Sequence, residues 1–221
     1  MYQSARKYAE QLGLENRPIG TYNGAAIWEF PAGQLLAHEP LPMEACKRLA
    51  AYCENRGLHL NAYMNDELYV ASLNEKARLY MAGAGVQAHP VGSIFMWLTG
   101  PCTKMLIIED PAAIQGLNAE VSQLMGPSFH VVQSASNYLE ITSERATKGD
   151  ALAWIANSMG IPRDSVLAIG DAANDIAMFQ WAGTSFAMEH AADAVKRAAT
   201  HVTHGAPGHG IAEAFERMGL I

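Results

Sequence analysis

From Thr147 to the C-terminus the chain alternates helix and strand, and that rhythm limits the folds open to it more than any other feature. Apolar periodicity predicts a helix over 148–159, a strand over 165–170, a helix over 174–182, a strand over 185–188, a helix over 191–198, a short strand near 201–203 and a last helix. Strands joined through helices run parallel and are covered by them, so this part reads as α/β with a parallel, Rossmann-like sheet.

The chain opens on another helix, residues 3–13, with Ala5, Tyr8, Ala9 and Leu12 at helical spacing and Gly13 as its stop. A short apolar segment running through Tyr22-Asn23-Gly24-Ala25 follows. Residues 31–140 have another texture. Helices opened by Pro and closed by Gly ("PMEACKRLAAYCENRG", "PAAIQGLNAEVSQLMG") mix with the strand segments "LHLNAYMNDELYVAS", "TKMLIIED" and "FHVVQSASNYLEIT". The expected organisation is therefore two domains: a discontinuous α/β core, 1–30 and 141–221, and an inserted α+β domain, 31–140.

With 50% hydrophobic residues the 221-residue chain can bury a substantial core. A net charge of −7 without a Lys/Arg run argues against nucleic acid or an anionic membrane as partner, and no apolar run reaches the ~18 residues of a membrane span. A cytoplasmic protein is expected. Cys46, Cys53 and Cys102 form no CxxC pair and read as buried thiols.

Two features can carry chemistry. Asp171 closes the strand "SVLAIG", where ligands collect in parallel sheets, and Asp175 falls in the first turn of the next helix with Asn174 beside it. Both carboxylates can face one oxygen-lined pocket for Mg²⁺, which needs only one or two carboxylates besides water and substrate phosphate. The same residues would also serve simply to open a helix. In "RATKGDALAWIANSMGIP", Thr147 and Asp150 have capping-box spacing, which puts Lys148 in the first helical turn, the unfavourable end for a cation. A phosphate or carboxylate nearby would reverse that penalty; a solvated lysine would tolerate it.

Three other patterns carry less. "GAGVQA" fits G-x-G-x-x-A but lacks the strand before it and the helix after it, Glu109 and Asp110 read as a strand-to-helix turn, and His201, His204 and His209 have no zinc-type spacing.

Taken together, "TYNGA", "MLII", "LEIT", "TKGDAL", "VLAIGDAANDIAMF", "AGTSFAM" and "GIAEAF" resemble, in order and distance, the Cof-like IIB phosphatases of the haloacid dehalogenase (HAD) superfamily. The resemblance spans nearly the whole chain. It implies a parallel-sheet core with an inserted cap, Mg²⁺ held at Asp171 and Asp175, and Asn174 near the phosphate. It also implies that Lys148 acts catalytically by contacting phosphate and nucleophile, and that Asn23 lies at the substrate edge of the site. At position 209 this chain has His where relatives often carry Asp.

One departure matters. Family members open on a strand ending in D-x-D-G-T, whose first Asp attacks phosphorus and whose second protonates the leaving group, and no D-x-D occurs in these 221 residues. The family's Thr or Ser motif, due just before the first helix, is also absent. The expectation is a phosphatase acting on a small phosphorylated metabolite, such as a sugar phosphate, truncated at the N-terminus and inactive alone. The alternatives are a non-catalytic phosphometabolite-binding protein and a protein that exchanges strands with another copy, as a homodimer, or with another chain.

Overall fold

The computed structural model describes residues 1–205 and 208–221, which divide into two compact units, Met1–Ala146 and Thr147–Ile221.

The first unit begins with α1 (Tyr2–Gln11) and a three-stranded antiparallel sheet of β1 (Arg17–Thr21), β2 (Ala26–Phe30) and β3 (Gln34–His38). Next come α2 (Met43–Asn55), the hairpin β4 (His59–Met64) and β5 (Glu67–Val70), α3 (Glu75–Ala84), β6 (Ala88–Pro90) and the single turn α4 (Ile94–Trp97). The unit closes with β7 (Lys104–Ile108), α5 (Pro111–Met125), β8 (Phe129–Ala135) and β9 (Tyr138–Ser143), giving a six-stranded sheet in the order β6-β5-β4-β7-β9-β8. Every neighbouring pair in it is antiparallel except β5 and β6.

Both faces of this sheet are covered, which is why every residue of β4 and β7 is buried. On one face Cys46, Leu49 and Cys53 of α2 and Ile114, Leu117 and Val121 of α5 pack on Leu60, Ala62, Met105, Ile107, Leu139 and Ile141. The alternate residues Tyr63, Leu68, Val70, Leu106 and Ile108 pack on the other side with Ala77 of α3 and with Tyr22, Ala25 and Ala26. All three cysteines are free and buried, as expected.

The grouping of residues 1–30 differs from the sequence reading, which joined them to 141–221. Asp66, in the β4–β5 turn, accepts hydrogen bonds from the backbone N–H groups of Tyr2 and Gln3, at 2.7 and 3.0 Å, and from the Tyr22 hydroxyl at 2.8 Å. These bonds and the shared apolar cluster hold the N-terminal segment within the first unit. Of the predicted α1 stripe only Ala9 is buried.

The second unit follows the predicted alternation: α6 (Lys148–Ser158), β10 (Leu167–Gly170), α7 (Ile176–Trp181), β11 (Thr184–Ala187), α8 (Asp193–Ala198), β12 (His201–Val202) and α9 (Gly210–Arg217). Its strands form a parallel sheet in the order β10-β11-β12, and among the described residues β10 has a partner on one side only. Ala168, Phe179, Ala182, Ala187, Ala191 and Val195 form the core, which is small-residue rich and lets the helices lie close.

Candidate active site

Lys148, Asp171, Asn174 and Asp175 all belong to the second unit, at the carboxyl end of β10 and the start of α6. Thr147 caps α6, its hydroxyl accepting the Asp150 N–H at 3.0 Å and donating to the Asp150 carboxylate at 2.5 Å. This fixes Lys148 as the first helical residue. We expect Thr147→Ala to cost about 1 kcal/mol, measured by denaturant unfolding.

The lysine's partner lies 27 positions along the chain: Lys148 Nζ sits 2.5 Å from Oδ1 of Asp175. The close approach depends on glycines. A Cβ at Gly149 would come within 2.5 Å of the Ala177 carbonyl oxygen, so only a glycine lets α6 lie this near α7. A Cβ at Gly170 would occupy the place of the Asp175 carboxylate.

The Asp175 side chain makes no cap hydrogen bond to α7. Residues Ala173–Asp175 form a 3₁₀ turn, not the predicted helical start, and the second carboxylate oxygen of Asp175 reaches backwards to accept the N–H groups of Asp171 and Ala172, each at 2.9 Å. Its side chain is only 4% exposed. Burial alone would raise its pKa, but the bonds from Lys148, Ala172 and Asp171 outweigh that and hold the carboxyl below its ordinary value.

Asp171 is the opposite case. Its side chain is 56% exposed, and among the described residues Oδ2 meets only His190 Nε2, at 3.1 Å, while Oδ1 takes no hydrogen bond. Asn174 lies half-buried in the turn between them.

Asn23 belongs to the first unit. It sits in the turn Tyr22–Gly24, whose three residues all have positive φ, and its amide donates to Glu140 at 2.9 Å. Glu140 also pairs with the largely buried Lys104 at 3.2 Å. Such a left-handed run is costly unless fixed by its surroundings.

The three other patterns fall at element ends and in a loop. "GAGVQA" ends α3 at a left-handed Gly85 and leads into β6. Asp110 precedes Pro111 at the start of α5, and Glu109 pairs with Lys76. His201 lies against Phe186 and Arg217, and the His204 N–H goes to Glu213. Ala206 and Pro207 of that loop lie outside the described residues. Among the described residues no group of three or more His, Cys, Asp or Glu could hold a metal.

The donors do fit a hard cation that takes few protein ligands. Mg²⁺ prefers oxygen and keeps several waters, and Asp171 offers an open carboxylate. Asp175, expected to be a second ligand, has both oxygens engaged by Lys148 and the turn.

A family model described as haloacid dehalogenase-like hydrolase matches residues 1–215. The chain belongs to this family. Within it, the chain is 28% identical over 214 residues to the 5-amino-6-(5-phospho-D-ribitylamino)uracil phosphatase YitU of Bacillus subtilis, covering 91% of this chain and 76% of that protein. The structure of TM0651 from Thermotoga maritima superposes with a TM-score of 0.86 at 28% identity, over 98% of this chain and 81% of that one. The HAD subclass IIB sugar phosphatase BT4131 shares the fold, with a TM-score of 0.82 at 23% identity, over 97% and 80%. The haloacid dehalogenase resemblance and the α/β fold class therefore stand. No helix among the described residues is long and apolar enough to cross a membrane.

Proposed function

We propose that this haloacid dehalogenase-like protein is a cytoplasmic, Mg²⁺-dependent phosphatase site for a small phosphorylated metabolite, sugar phosphates being the leading class. The observation that carries the reading is the pairing of a held cation with an open carboxylate at one strand end: Lys148 locked on Asp175, and Asp171 facing solvent.

In this reading Lys148 donates to a phosphoryl oxygen, and Asp175 holds the ammonium in place. Asp171 would hold the Mg²⁺, while Asp175 contributes by holding Lys148. Bound Mg²⁺ would draw charge from the phosphoryl oxygens. Asn174 lies beside the phosphate. With Asp171 given to Mg²⁺ and Asp175 to Lys148, these site residues leave no carboxylate to attack phosphorus, and the sequence has no D-x-D. This chain is accordingly expected to bind phosphate without measurable turnover of an aryl phosphate.

Calorimetry tests this. Inorganic phosphate should bind the chain in the presence of Mg²⁺, and Lys148→Ala should weaken it about 10-fold or more, the scale of one charge-assisted hydrogen bond. Phosphate binding indifferent to both Lys148 and Mg²⁺ would refute the reading.

A further inference from the structure

We infer that His190 is a positioning residue for the cation site, its ring holding one oxygen of Asp171 so that the other is presented in a fixed direction. The inference rests on the metal reading proposed above and extends it to a residue outside the acidic motif.

The fold brings the two side chains together. β10 and β11 are parallel neighbours with Gly170 opposite Ala187, so the loops leaving their carboxyl ends run side by side. The Met188 N–H donates to the Gly170 carbonyl at 2.9 Å, carrying the pairing one residue further, and a turn closed by Ala191 N–H to Met188 O at 2.9 Å follows. Asp171 is the first residue past one strand and His190 the third past the other. That places Nε2 3.1 Å from Asp171 Oδ2.

The bond matters because of how the two acids divide their work. Asp175 has both oxygens committed, which leaves Asp171 as the carboxylate with a lone oxygen to offer. An exposed aspartate would otherwise rotate freely and lose that freedom on binding a cation. Hydrogen bonds to the groups that ligate a metal limit this loss, and removing them commonly weakens binding 10- to 100-fold. His190 is itself 59% exposed, so its replacement leaves the packing of the unit untouched.

The experiment is titration of the full 221-residue chain with Mn²⁺, followed by the electron paramagnetic resonance of the free ion, with metal-free thermal unfolding of each variant alongside. His190→Ala is expected to weaken Mn²⁺ binding about 10-fold. His190→Gln, whose amide can donate from nearly the same point, is expected to recover most of that loss. Unchanged Mn²⁺ affinity in His190→Ala, with or without lowered stability, would make the contact a simple tie between loops and overturn the inference. So would tighter binding, which would mean that the imidazole competes with the cation for Asp171. Absence of Mn²⁺ binding by the wild-type chain would instead remove the metal reading itself, and this inference with it.

Discussion

Asp175→Ala is expected to destabilise the second unit by about 3 kcal/mol in denaturant unfolding, the low end for stripping one partner from a buried ion pair. The low end applies because Lys148 is 33% exposed and can recover water when its partner is lost. The backbone N–H groups of Asp171 and Ala172 lose their acceptor at the same time, so the turn that presents Asp171 should loosen too. Asp175→Asn, which keeps an acceptor but not the charge, should lose less. The sign of the pH dependence follows from the depressed pKa. The folded-state carboxyl lies below its ordinary value of 3.8, so its contribution is full above that value and disappears as pH falls through the folded pKa. In metal-free buffer the alanine variant should therefore show a shallower loss of stability on acidification than the wild type. Equal acid limbs would mean that Asp175 is not held in its ionised form by Lys148.

The second large effect is expected at Gly149. Alanine is intrinsically the better helix former by about 1 kcal/mol, so propensity alone predicts a gain from Gly149→Ala. The packing predicts the reverse. The added Cβ would meet the Ala177 carbonyl oxygen at 2.5 Å and its carbon at 2.7 Å, and these are backbone atoms that cannot swing aside. A net loss of about 2 kcal/mol is expected, in the range measured for overpacked sites. Because separating α6 from α7 also draws Lys148 away from Asp175, the losses in Gly149→Ala and Asp175→Ala should fall short of additivity in the double variant. A stabilised Gly149→Ala protein would show that the helix contact does not hold the ion pair.

The alternating elements of the second unit were legible because each carries its own period and its own stops; α6 opens on Thr147, and β10 ends where the apolar run "LAIG" meets Asp171. What sequence could not give were contacts between segments far apart. Lys148 looked misplaced at a helix N-terminus, and only the approach of α7 supplies its carboxylate. The predicted helix start at 174 became a 3₁₀ turn because Asp175 bonds back to Asp171 and Ala172 instead of forward into α7. Residues 1–30 joined the first unit through Asp66, a turn residue with no signal that it would bind backbone more than 60 positions away. His190 was invisible for a similar reason: nothing in "AMEHAAD" points to Asp171 until the register of two parallel strands is known.

On the proposed reading Asp171, not the buried Asp175, meets the cation while Lys148 stays on Asp175. Crystals of the chain soaked in Mn²⁺ and measured at the manganese edge test it directly. One anomalous peak is expected against the Asp171 carboxylate, with the Lys148–Asp175 pair intact. A peak bound by Asp175 with Lys148 displaced, or saturating Mn²⁺ that leaves Asp171 bare, would contradict it.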